Sequence, residues 1–267
     1  VLVRYNTGLH ISHNGRGLAA LLEELHEAWG PRLGRIRVIG HSMGGLVARS
    51  ALEHLRRANA PVLEHVDQLF LLATPNQGAD LERLGHAVEY ALEQLTHAPD
   101  AWLLPGRGRD DGGGLWTPMA LLDSVRSLTR ATTAMPFRAA LRVLAMRSDG
   151  MRDVRFGYMM AEEWESAAHD RDRFMLNHRR PIPPPDHVRT FCIAGSLWPE
   201  VGASPSPLRT DGLVSTRSAA GIGDDFDDLR VVEHGRYVEF PLLVHQLVAA
   251  SQRVVEQMRR FSRVSSI

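Results

Sequence analysis

Apolar positions along the chain fall into two rhythms that take turns. The runs "VLVRYN" at 1–6, "RIRVIG" at 35–40 and "VDQLFLLAT" at 66–74 are short and rich in Val, Ile and Leu, which predicts extended strands. Between them, "GLAALLEELHEAW" at 17–29 sets Leu18, Leu21, Leu22, Leu25 and Trp29 on one helical face, and "GGLVARSALEHLRRA" at 44–58 repeats a helical spacing. The polar, turn-like "NTGLHISHNG" separates the first strand from the first helix. Strand and helix in alternation predict an α/β protein with a mostly parallel sheet. The rhythm breaks between about Gly78 and Pro185 and resumes with "VRTFCIAG" at 188–195. "LRVVEHG" at 229–235 follows as the last expected strand, and "QLVAASQRVVEQMRRF" as a closing amphipathic helix. The expectation is therefore an α/β core made of residues 1–79 and 186–267, with residues 80–185 inserted as a cap. The pieces "WTPMALLDSVRSL" and "PFRAALRVLAM", joined through "GRGRDDGGG", suit helices with an apolar face over a site, or ordinary helix core. "RRPIPPPDH" is a stiff return to the sheet.

One junction in this pattern carries chemistry. The segment "GHSMG", Gly40 to Gly44, puts Ser42 between the second strand and the second helix in a G-x-S-x-G arrangement. In such a turn the serine takes a strained backbone, and side chains at the flanking positions would collide with the neighbouring strand or helix. Gly40, His41 and Gly44 form the elbow around it. The strain would expose the Ser42 hydroxyl near the positive end of the helix dipole and aim the Met43 N–H at a developing oxyanion. A glycine-rich turn of purely structural purpose is the plainer reading of the same residues. A phosphate-binding loop fits less well still, because its lysine is absent: the chain has no Lys at all.

A serine needs a base and an orienting carboxylate to become a nucleophile. In this arrangement they follow in the order Ser, acid, His, each after a later strand. "TDGLVSTRSA" offers Asp211 at a turn-forming Asp-Gly. The competing carboxylates are Glu200 and the cluster Asp224, Asp225, Asp227 and Asp228, which suits a solvated loop. His245 lies beyond the last expected strand and just before the closing helix, as the base should. His234, at the end of that strand, is the alternative, while His41 adjoins the serine on the wrong side of the turn. His10 and His13 in "HISH" have the look of a metal pair but lack a third ligand in register. No metal and no cofactor is expected.

Composition narrows the partners. The 31 acidic and 31 basic residues cancel, with no basic block, which argues against nucleic acid as a partner. No run of about 18 apolar residues provides an integral membrane segment. Cys192 is the single cysteine, so no internal disulfide can form. Nothing in the sequence fixes an oligomeric state or a compartment, although the cytoplasm is weakly favoured. Val1 stands where a Met would open a chain, and "VLVRYN" has no lead-in, so the expectation is that natural sequence precedes it.

The chain resembles the α/β-hydrolase superfamily, within it the bacterial lipase and esterase-like group related to GPI inositol-deacylases and triacylglycerol lipases. The resemblance is carried, in order, by "RYNTGLHISHNGRGLAALLEEL", "GHSMGGLVARSA", "LATPNQGADLERLG", "MRSDGMRDVRFGYM", "TDGLVSTRSA" and "VHQLVAASQRVVEQ". It implies a triad of Ser42, Asp211 and His245, hydrolysis of a small-molecule ester or lipid, and no cofactor. It also implies a first oxyanion donor from an upstream His-Gly type loop, which has no match here. Either the N-terminal strands are missing, or "NTG" at Asn6 to Gly8 supplies that donor. Asn76 and Gln77 stand where the family often has His and Arg. A non-catalytic scaffold of the same fold, or an acyltransferase using the same triad, are the alternative functions.

Overall fold

The computed structural model describes residues 1–79, 148–168, 178–199, 205–206, 208–221, 237–243, 248 and 251–263. Its elements in chain order are α1 (Ile11–Trp29), β1 (Ile36–His41), α2 (Met43–Ala58), β2 (Val66–Leu72), α3 (Asp149–Phe156), α4 (Ala161–Ala168), β3 (Arg189–Ser196), α5 (Thr216–Ala220), β4 (Tyr237–Pro241) and α6 (Gln252–Arg263). The strands form one four-stranded sheet in the order β1-β2-β3-β4. Every pairing is parallel, with Gly40 opposite Leu71, Leu71 opposite Cys192, and Cys192 opposite Tyr237. All four strands therefore end at the same edge of the sheet.

Alternation along β2 explains the layers. Leu69 and Leu71 point to one face and pack with Ala19 and Leu22 of α1 and Ala48, Ala51, Leu52 and Leu55 of α2. Phe70 and Leu72 point to the other face and pack with Phe191, Ile193 and Val254. There Phe191 stacks between Phe70 and Phe261 of α6, with ring centroids 5.0 and 4.5 Å away. A parallel strand buried on both faces has to be apolar at nearly every position, as "QLFLL" is. Each fully buried Leu or Phe contributes about 1.5–3 kcal/mol relative to exposure, so β2 is the centre of the core.

Four local expectations are corrected. Residues 1–6 form no strand; their β-branched composition is not enough, because a strand exists only through a ladder and no described strand lies beside them. The supposed turn "HISHNG" is helical from Ile11 onward. The cause is tertiary: Gly15 packs so closely on α2 that an added Cβ would lie 2.2 Å from Ser50 Oγ. The Asn14 side chain donates to the Asn6 carbonyl at 2.8 Å, and the first free N–H of the helix, on Ile11, is capped at 2.7 Å by Asp153 of α3. At the other end of α1, Trp29 is 56% exposed rather than part of the buried face. The closing helix starts at Gln252, six residues later than its apolar pattern suggests, while "LRVVEHG" lies outside the described residues.

The inserted stretch is described only in part. Its apolar pieces at 116–128 and 136–146 lie outside the described residues. Residues 148–168 and 178–185 belong to the same compact unit as the sheet. There the Trp164 indole N–H donates to Ser12 Oγ at 3.1 Å, and Ser50 Oγ donates to the Met159 carbonyl at 2.7 Å.

Candidate active site

The junction of β1 and α2 is a tight strand-to-helix turn. Ser42 sits on it with φ 53° and ψ −128°, a backbone conformation that a residue with a Cβ adopts only at a cost of about 1–3 kcal/mol. Its N–H donates to the Leu72 carbonyl at 2.9 Å, continuing the β1–β2 ladder one residue past the strand, and its carbonyl accepts from the Gly45 N–H at 3.0 Å. Space is reserved by glycine. A Cβ on Gly40 would lie 2.5 Å from Gly45 Cα, and one on Gly45 would lie 2.0 Å from Thr74 Oγ1. Gly44 is less crowded, with the Tyr5 hydroxyl 3.4 Å from where its Cβ would be. Met43, the first residue of α2, is buried, and its N–H belongs to the helix terminus.

Strain gathers along this edge. Of the non-glycine residues with positive φ, Ser42, Ala73 and Leu242 each follow directly on a strand, namely β1, β2 and β4. Ala73 is held there by its N–H, which donates to the Ile193 carbonyl at 2.7 Å. Outliers of this kind cluster where a structure over-determines its backbone, often at functional sites. Nothing in the sequence around Ala73 or Leu242 announces them, since neither is Gly, Asn or Asp.

Asp211 lies at the same edge, beyond β3. Leu197, the residue after that strand, donates its N–H to the Thr210 carbonyl at 2.8 Å. The segment from Arg209 to Thr216 closes on itself: the Thr216 N–H reaches the Arg209 carbonyl at 2.7 Å and the Asp211 N–H reaches the Val214 carbonyl at 3.2 Å. Gly212 takes a φ of 103° at the tip. The Asp211 side chain is buried, and its Oδ1 accepts the N–H groups of Leu213 at 3.0 Å and Val214 at 2.9 Å. β1 and β3 flank β2, so the strand ends that Ser42 and Leu197 follow are separated by two inter-strand spacings, roughly 10 Å.

His245 and the alternative base His234 lie outside the described residues, as do Glu200 and the Asp224, Asp225, Asp227 and Asp228 cluster. Leu243, two residues before His245, and Val248, three residues after it, are described. Leu243 donates its N–H to the Ser196 carbonyl at 2.8 Å. A Cβ on Gly195 would lie 2.6 Å from the Leu243 carbonyl oxygen, 2.9 Å from Val248 Cγ2 and 3.2 Å from Asp211 Cβ. The Asp211 turn, Leu243 and Val248 thus converge on one glycine of β3.

The "TPNQG" loop after β2 is anchored by Asn76. Asn76 is fully buried; its Oδ1 accepts from the Arg49 guanidinium at 2.9 Å and its amide donates to the Ala219 carbonyl at 2.9 Å. Arg49 also reaches the Ile182 carbonyl at 2.7 Å, and burial pulls its pKa down to about 10. Asn76 therefore ties α2 to α5, the helix that follows the acid turn. Burial also pushes the Cys192 thiol up to about 12, which leaves it inert.

Other charged groups stand apart. His10 Nδ1 lies 3.1 Å from both oxygens of buried Asp153, and its ring stacks on Trp164 at 3.9 Å. Among the described residues no group of three His, Cys, Asp or Glu side chains could hold a metal ion. A cleft of about 490 Å³ opens over the far end of α2 between Glu53, Arg57, Glu163 and the proline run 183–185. Glu53 is eleven residues from Ser42, roughly 16 Å along the helix, so this cleft is not the serine's. No described helix is long and apolar enough to cross a membrane.

A family model described as a PGAP1-like alpha/beta domain matches residues 20–99, a stretch that spans β1, the Ser42 turn, α2 and β2. The chain is similar to that family over these 80 residues, less than a third of its length. Among solved structures, a Bacillus licheniformis lipase in its mature form is similar at 16% identity, covering 97% of this chain and 76% of the lipase, with a TM-score of 0.47. A thioesterase from the prodiginine biosynthetic pathway of Streptomyces coelicolor is similar at 16% identity, covering 93% of this chain and 66% of its own, with a TM-score of 0.36. No curated protein matches the chain.

Proposed function

We propose that the protein is a serine hydrolase that cleaves carboxylic esters. The observation that carries this reading is the backbone of Ser42, a strained serine on a glycine-cleared turn between a parallel strand and a buried helix. A structural turn at this place would use glycine itself, at no steric cost. The strain is explained if the hydroxyl has to stand out at the edge of the sheet.

In this mechanism Ser42 Oγ attacks the ester carbonyl carbon while His245 takes its proton. Asp211 orients the imidazole and stabilises its charged form, and the Met43 N–H donates to the oxyanion of the tetrahedral intermediate. The carbon–oxygen bond to the alcohol then breaks, with His245 returning the proton to the leaving oxygen. Water, deprotonated by the same imidazole, releases the acid from Ser42. The small-molecule substrate is an ester or lipid whose acyl length is read by a series of p-nitrophenyl esters. Ser42→Ala should lower turnover of the best of these by about 10⁴–10⁶-fold with the fold unchanged. A variant that keeps more than about a tenth of the activity removes the serine from the reaction.

A further inference from the structure

The acid turn is tied to the sheet a second time, by a contact that the triad chemistry does not require. Arg209 stands two residues before Asp211, and its guanidinium makes a bidentate pair with Glu239 of β4, Nε to Oε1 at 2.9 Å and Nη2 to Oε2 at 3.0 Å. The Glu239 side chain is fully buried and that of Arg209 is 17% exposed. Tyr237, two residues earlier on β4, adds its hydroxyl to Glu239 Oε2 at 3.3 Å. On its backbone side Arg209 accepts the Thr216 N–H, which closes the turn around Asp211. The carboxylate itself sits on the strand that leads, through Leu242 and Leu243, to His245.

We propose that the Arg209–Glu239 pair is a positioning device that fixes the proposed acid, Asp211, relative to the proposed base, His245. This rests on the serine-hydrolase reading. The physical case is that the two segments arrive from different strands. The backbone bond from Leu197 holds the turn to β3, and β4 is joined to β3 by its own ladder. Among the described residues no backbone hydrogen bond joins the turn to β4, so a side-chain link sets the two against each other. A bidentate guanidinium–carboxylate pair fixes both distance and plane, which a single hydrogen bond or a lysine would not. Its burial makes it costly to retain for stability alone, because an apolar pair of similar volume would serve as well or better.

The test compares the 267-residue chain with the double variant Arg209→Met plus Glu239→Leu, which removes both charges and leaves neither one buried without a partner. Ester turnover, its pH profile and fluorophosphonate labelling of Ser42 are measured together. The expected result is a fall in kcat of about 100-fold, the size of effect that a misplacement of about 1 Å produces. KM should stay within about twofold. The acid limb of kcat/KM should move to lower pH, because an imidazolium without a well-aligned carboxylate gives up its proton more readily. Glu239→Gln, which keeps the shape and removes the charge, should lie between the two and carries the test if the double variant does not fold. Unchanged kcat and an unchanged acid limb, with only a lower melting temperature, would make the pair purely structural. A parent chain that neither hydrolyses the ester nor takes the label would overturn the serine-hydrolase reading, and the positioning role with it.

Discussion

The Ser42 turn and the Asp211 turn end neighbouring parts of one sheet edge, yet they are built in opposite ways. Around Ser42 the chain is shaped by what is absent: Gly40 and Gly45 leave no room for a Cβ, and the serine carries the strain. Around Asp211 it is shaped by what is present: the Thr210 hydroxyl bonds the Val214 carbonyl, the Asp211 carboxylate bonds two amides, and Thr216 closes the base. In the proposed roles, the nucleophile is thrust out of the fold and the orienting acid is held within it. The first turn should therefore fail when atoms are added, and the second when atoms are removed.

Adding one carbon to the Ser42 turn should do the most damage. Gly40→Ala puts its Cβ against backbone atoms that cannot rotate away, and about 3 kcal/mol or more of stability should be lost, read as a lower urea midpoint at constant slope. For Gly45→Ala the three nearest atoms all belong to the Thr74 side chain. Its loss should be partly recovered by adding Thr74→Gly, whereas no second substitution should rescue Gly40→Ala. Equal rescue of both would mean that the turn is not limited by backbone clearance.

Removing atoms from the acid turn should cost less. Asp211→Ala strands the Leu213 and Val214 N–H groups and should lower stability by about 2 kcal/mol, with Asp211→Asn costing clearly less because an oxygen remains. If alanine proves neutral, the carboxylate does not hold the turn and the contrast between the two regions fails.

The smallest effect concerns a third contact that should leave both turns alone. Burial works against protonation of His10, but the hydrogen bond to Asp153 and the charges of Asp153 and Asp149 outweigh it, and the His10 pKa is raised above its ordinary value. A group whose pKa is raised in the folded state stabilises the fold below its unfolded pKa. That stabilisation is lost as pH rises through the folded value. The melting temperature should thus drop above about pH 6.5 by about 2 °C or less, and His10→Gln should flatten the drop. An unchanged pH profile in the variant would remove His10 from the account.

The same contrast explains what could be read from the residues alone. A turn built on absent side chains leaves a mark in the sequence, since glycines at fixed offsets around a serine after "RIRVI" are visible without a structure. The Asp-Gly of the acid turn is visible too, but its support is not: Glu239 lies thirty residues from Arg209. The start of α1 was hidden for the same reason, because the carboxylate that caps Ile11 is Asp153, 142 residues away. A polar run such as "HISHNG" reads as a turn until a partner helix and a distant cap make it helical. Ala73 and Leu242 left no signal at all, because their strain comes from the strands they follow.

The central claim, that Ser42 is an activated nucleophile, is tested most directly by incubating the folded chain with a fluorophosphonate and locating the adduct by peptide mass. A single phosphonylated site at Ser42 is expected, formed at least about 100-fold more slowly in His245→Ala, where the proposed proton acceptor is gone. A folded chain that takes no label, or takes it at another serine, would contradict the account.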